Sequence, residues 1–241
     1  MIKLLVAALF LPLFPFSILL NGLLSRLSSP LARFLLLLLW PQIGVFVLHA
    51  QPVPEGFVAW SLLSSGFYAL RLLTVRGLGL WAGFLASSSL SLIWAGDVAN
   101  DFNMHIFAFW FSLPAAVLSL LAGALARRFG AVYAGLYGGL ASSVPRLSGL
   151  LVFTLLAAIA TPPSPGFFAM LGLLHGAGTA PAVLVIWLLW GWAAIRLMQG
   201  FLSGNHDAHP VMDIGKGGTL LFACFLGIIV VASIYLTGGA L

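Results

Sequence analysis

Apolar residues in this chain follow neither a helical nor a strand period. They come in long unbroken runs, separated by short polar or proline-bearing stretches. Runs of this kind have no wet face, so they predict helices surrounded by hydrocarbon or by other helices. A bilayer core takes about 20 residues of helix. Length and punctuation then predict eight spans, near residues 4–24, 31–49, 56–74, 78–96, 103–126, 147–175, 179–202 and 218–238. Pro30, Pro52, Pro54 and the Gly217-Gly218 pair stand between runs, where residues that break helices belong. The first run follows Met1-Ile2-Lys3 and has no small-x-small site at its end. It reads as a retained helix rather than a short cleavable leader.

The sixth run departs from the pattern. From Leu147 to His175 it is about 29 residues long, and its middle reads Thr161-Pro162-Pro163-Ser164-Pro165-Gly166. Each proline removes a backbone donor and its ring clashes with the preceding turn. The sequence therefore predicts a helix broken at 161–166. The competing reading is a loop between two half-inserted helices. Non-helical backbone at membrane depth is tolerated where it is buried in protein or lines a cavity, and broken helices recur in ion-coupled transporters.

Charge sharpens this picture. Of 241 residues only 15 are Asp, Glu, Lys or Arg, or 6%, against about 25% in soluble domains. Hydrophobic residues make up 62% and mean hydropathy is +1.15. These numbers exclude a soluble enzyme, a nucleic-acid binder and a disordered tail. The net charge of +5 belongs to topology instead. Arg26 and Arg33 flank the first connection, Arg71 and Arg76 the third, Arg127, Arg128 and Arg146 the fifth, and Arg196 and Lys216 the seventh. Nine of the ten basic residues thus fall on odd-numbered connections, and Lys3 alone is opposite. By the positive-inside rule these connections face the cytoplasm, and both termini lie outside it. The expected location is a bacterial inner membrane. Glu55, Asp97 and Asp101 sit on even-numbered connections. The single cysteine, Cys224, lies inside an apolar run and can form no internal disulfide.

Several segments together resemble a known family. Residues 138–171 read GGLASSVPRLSGLLVFTLLAAIATPPSPGFFAML. This is similar to the antiporter-like subunits of respiratory complex I and of Mrp-type cation/proton antiporters. In that family a Gly-Gly-Leu and a proline precede a helix that breaks at Pro-Pro-x-x-Gly-Phe. AAVLSLLAGALARRFG at 115–130, LASSSLS at 85–91 and AIRLMQGFLSG at 194–204 resemble further motifs of the family, in its order. The likeness covers about residues 77–204. It implies an all-α polytopic protein equivalent to the second half of a full-length subunit, with the family's first repeat absent. The implied organisation is N-terminal helices over 1–76, an antiporter-like repeat over 77–204, and a polar loop with a last helix over 205–241.

The resemblance also points to what is missing. The family conducts protons through charged residues buried at mid-membrane, where a low dielectric lets a lysine load and release a proton. Three such positions fall in the matched region, and here they are Ala82, Ala115 and Met170. The two lysines, Lys3 and Lys216, lie near span ends. The inherited proton path reads as dismantled.

Other polar groups carry two readings each. Asp97, Asp101 and His105 are four apart and would share a helix face. They form either a relocated proton or ion site that includes His105, or an acidic N-terminal cap. Residues 205–213 hold His206, Asp207, His209 and Asp213. With Pro210 between them and no second cluster, they suit a partner-facing loop better than a metal site. Ser87, Ser88, Ser89 and Ser91 form a small-residue stripe, for close packing or a wet channel wall. His49, His175, Trp40, Trp60, Trp81 and Trp94 fall near span ends, as in an aromatic belt. Trp187, Trp190 and Trp192 lie mid-span.

No motif for a catalytic site, metal or cofactor appears. The sequence predicts a non-catalytic subunit of a proton-conducting, complex I-like membrane assembly. Its expected partners are a full-length antiporter-like subunit, other subunits and lipid, with no nucleic acid. One alternative is a membrane subunit of an energy-coupled inorganic-carbon pump with a soluble zinc-bearing partner. Another is an independent transporter using Asp97, Asp101 and His105.

Overall fold

The structure is a computed structural model describing residues 1–48, 52–96, 104–136, 138–174, 178–204 and 212–237. Its regular elements are α1 (Ile2–Phe10), α2 (Ser17–Arg26), α3 (Pro30–Leu48), α4 (Glu55–Leu72), α5 (Leu78–Ser91), α6 (Ile93–Gly96), α7 (Met104–Phe129), α8 (Leu140–Ser143), α9 (Pro145–Ala158), α10 (Pro165–Leu174), α11 (Ala180–Leu202) and α12 (Lys216–Thr237). The protein is an all-α integral membrane protein. Its helices stand at the eight places where the apolar runs predict spans. α3, α5 with α6, α7 and α11 are each long and apolar enough to cross a membrane on length and composition alone.

The first run departs from the sequence expectation of one helix over 4–24. α1 stops at Phe10 and α2 begins at Ser17, so this run is broken as well as the sixth. The cause is local. Pro12 and Pro15 withhold two backbone donors, and neither ring fits a continuous helix. The sixth run is interrupted between Ala158 and Pro165. Pro162 and Pro163 lie in that gap, whereas Pro165 and Gly166 open α10, at a position where a proline's missing N–H costs nothing.

α5 with α6 and α7 form the centre: 89% and 78% of their apolar windows are buried, against 28% for α3 and 33% for α11. α7 packs on α3, α5 and α9, and α5 also packs on α2 and α4. Hydrocarbon surrounds the bundle, so apolar side chains gain little by leaving it, and close packing and interhelical hydrogen bonds carry the association. α5 suits this role. Ala82, Gly83, Ala86 and Ser87–Ser89 keep its surface low, and every residue from Trp81 to Ser91 is buried.

The odd-numbered connections meet at one end of the bundle. Leu78 N–H donates to Val132 O and Ala134 N–H to Arg76 O, at 3.1 and 2.8 Å. Gly135 N–H donates to Gly200 O at 2.8 Å. Asp213 accepts from Arg146 N–H and Leu147 N–H at 2.8 and 3.1 Å. Arg33 lies against Gly79. The third, fifth and seventh connections therefore touch one another, and the first reaches the same end. That is the parity that the basic residues predict.

Candidate functional site

The two helix breaks and the polar seam on α5 are the places where this fold departs from a plain apolar bundle. A break frees carbonyl oxygens at membrane depth, and unsatisfied ones cost several kcal/mol each (roughly). Here tryptophans take four of them. Around the first break, Trp40 Nε1 donates to Leu9 O at 3.3 Å, Trp94 Nε1 to Leu11 O at 3.2 Å, and Trp60 Nε1 to Phe14 O at 2.6 Å. Phe14 N–H in turn donates to Ser64 Oγ at 3.0 Å. Around the second, Trp187 Nε1 donates to Ile159 O at 2.9 Å. Thr161 donates both its N–H and its Oγ1–H to Leu156 O, and Ala160 takes a left-handed φ of 59°. Gly166 lets the broken ends approach: a Cβ there would stand 3.2 Å from Ala160 Cβ.

These indoles correct the belt reading. Trp81 and Trp94 are fully buried inside the protein. Trp40 and Trp60 reach inward to the first break. The mid-span trio divides: Trp190 is fully buried, while Trp192 is 66% exposed.

The serine stripe is a seam joining four helices. Ser88 Oγ donates to Ser65 O at 2.8 Å, Ser65 Oγ donates to Ser88 O at 2.8 Å, and the two hydroxyls lie 3.1 Å apart. Trp190 Nε1 donates to Ser88 Oγ at 2.9 Å, which ties α4, α5 and α11 together. Beside it, Asn21 Nδ2 bridges Ser87 Oγ and Ser17 O at 2.9 and 3.0 Å, and Ser17 Oγ meets Tyr68 Oη at 2.6 Å. Ser87 and Ser88 meet neighbouring helices, while Ser89 and Ser91 donate to Ala86 O and Ser88 O within α5, which supports close packing over a wet wall.

Ala82, Ala115 and Met170 stand on α5, α7 and α10, at 0%, 1% and 0% exposure. Among the described residues no Asp, Glu, Lys, Arg or His is buried; the buried polar side chains are serines and Thr154. His105 is exposed at the start of α7, with Nδ1 3.2 Å from Gln42 Oε1. Asp97 and Asp101 lie outside the described residues, as do His49, His175, His206, Asp207 and His209. Asp213 is described, and it binds backbone N–H groups at the start of α9. Sequence reasoning missed the first break and its tryptophan caps. The signal was present as Pro12 and Pro15, three residues apart in an apolar run.

No family model matches the chain. An uncharacterized protein of Aquifex aeolicus is 24% identical over 235 residues, 95% of this chain and 98% of that protein. Among solved structures, a chain of respiratory complex I from Thermus thermophilus with bound NADH superposes with a TM-score of 0.82, at 22% identity and over 97% of this chain. A chain of the membrane-bound sulfane sulfur reductase, an archaeal respiratory membrane complex, gives 0.76 at 14% identity over 96%. One of the Mrp complex from a Dietzia species gives 0.72 at 18% identity over 85%. The chain spans about half the length of these solved chains, at 54%, 52% and 42%. It thus has the fold of complex I and Mrp antiporter-type membrane subunits.

Proposed function

We propose that this protein is a non-conducting membrane subunit of a complex I-like or antiporter-like proton-translocating assembly, packed beside a full-length antiporter-like subunit. The observation that carries this reading is the set Ala82, Ala115 and Met170. Each is buried in the bundle and apolar at a place where the resembled family keeps a titratable side chain. A proton crossing a low-dielectric core needs a group to hold it, and these side chains cannot. The tryptophan caps support the same reading, because they occupy four carbonyls, of Leu9, Leu11, Phe14 and Ile159, that a wet break would offer to water. In this reading the chain corresponds to the second half of a full-length subunit without its transport lysines. It sits in a bacterial inner membrane with both termini away from the cytoplasm, as the basic residues of the odd-numbered connections favour.

Proton flux in reconstituted liposomes tests the proposal. Vesicles loaded with a pH dye and driven by a potassium-diffusion potential should acidify no faster with the purified chain than without it. Flux above the protein-free background, abolished by denaturing the protein, would overturn the reading.

A further inference from the structure

At the end of the bundle where the odd-numbered connections meet, a cavity of about 240 Å³ opens between α4, α11 and the fifth connection. Its floor is apolar and buried, with Leu72, Ala193 and Leu197 at 1%, 2% and 3% exposure. Arg76 and Arg196 line the same cavity and are exposed. Arg33, Arg128 and Arg146 at this end donate to backbone carbonyls. Among the described residues the guanidinium groups of Arg76 and Arg196 have no hydrogen-bond or ion-pair partner.

The pocket's walls are fixed. Arg76 O accepts from Ala134 N–H, and Gly200 O from Gly135 N–H, both at 2.8 Å. Gly200 permits this closeness: a Cβ there would stand 2.7 Å from Ala134 Cβ. These four backbone groups are therefore spent on one another, and the two guanidinium groups remain. Two like charges over an apolar floor, at the membrane's edge, call for an anion carrying hydrocarbon. Guanidinium pairs phosphate oxygens in fork geometry, and basic pockets between helices at the cytoplasmic side take anionic head groups. The volume is below the roughly 300–1,000 Å³ of sites for drug-sized ligands, which suits a phosphate held by the two arginines with only the first part of a chain over the apolar floor.

We propose that Arg76 and Arg196 form a binding site for the phosphate of an anionic phospholipid. The inference is independent of the proposed function, because it concerns the bundle's edge and not its proton path. The test is native mass spectrometry of the delipidated protein with cardiolipin or phosphatidylglycerol, against phosphatidylcholine. Anionic lipid should be retained preferentially. The pair Arg76→Gln and Arg196→Gln should cut retention about 30-fold, the size expected for two interfacial arginines. The pair Arg26→Gln and Arg127→Gln removes the same charge outside the cavity and should leave retention near wild type. Circular dichroism confirms that each pair folds. Equal retention of zwitterionic lipid, or equal losses in the two pairs, would overturn the site. Displacement of the lipid by millimolar inorganic phosphate would reduce it to a simple anion site and overturn the lipid assignment.

Discussion

Ser88 is the residue on which the interior of the bundle turns. Its hydroxyl receives Trp190 Nε1–H and donates to Ser65 O, while its carbonyl receives the Ser65 and Ser91 hydroxyls. In water such bonds would trade against solvent. Inside a membrane protein the alternative is an indole N–H with nothing to meet. Double-mutant cycles nonetheless give about 0.6 kcal/mol for an average interhelical bond in a membrane, with a maximum near 1.7, and a donor left unmatched costs about 1–3 kcal/mol. Ser88→Ala should therefore destabilise the protein by about 1–2 kcal/mol, lowering the midpoint of thermal unfolding in detergent. The double variant with Ser65→Ala should cost less than the sum of the singles, since the two hydroxyls share bonds. Strict additivity would show that the seam is not a network. The serines were visible in the sequence. Their partners were not, because Ser65 and Trp190 lie 23 and 102 residues away from Ser88.

At the scale of elements, the breaks separate what pattern can predict from what it cannot. Proline chemistry is local, so Pro162 and Pro163 mark the α9–α10 interruption in the bare sequence, and Pro12 and Pro15 mark the α1–α2 interruption to a reader who weighs them. What stabilises a break is remote. Trp187 lies 28 residues from the carbonyl it caps, and Trp94 lies 83 from its own. Trp187→Phe keeps an aromatic ring beside Phe167, whose ring centroid is 5.9 Å from that of Trp187, and removes the donor to Ile159 O together with the second ring of the indole. It should lower stability by about 1–3 kcal/mol. Hydrogen exchange should rise at Ile159, Ala160, Thr161 and Ser164 before it rises in α7. Unchanged exchange there would mean that the indole acts only by filling space. The belt reading of Trp81 and Trp94 failed for the same reason: sequence position gives depth along a helix, but which face a neighbour covers is a tertiary fact.

For the molecule as a whole, the exposed apolar faces of α11 and α12 are what a partner or lipid would meet. Leu184, Val185, Leu188 and Trp192 on α11 are exposed, as are Leu220, Leu221, Ile228 and Val231 on α12. If the chain is one subunit of an assembly, extraction in a mild detergent should bring down a longer antiporter-like subunit with it, and a harsher detergent should separate the two. Recovery of the chain alone and monodisperse in every mild detergent would remove the subunit reading.

The sequence by itself determined the class of the protein, because 15 charges in 241 residues cannot clothe a soluble surface. It determined the number and place of the apolar segments, because bilayer thickness sets their length. It determined which ends belong together, because basic residues sort by side, and the third, fifth and seventh connections do touch. The tertiary structure decided the rest. It turned a serine stripe into a seam, gave Trp40, Trp60, Trp94 and Trp187 their carbonyls, buried Ala82, Ala115 and Met170, and brought Arg76 and Arg196 to one cavity 120 residues apart in the chain. Each of these depends on which helix faces which. An apolar run carries no record of that, since all its faces look alike until they pack.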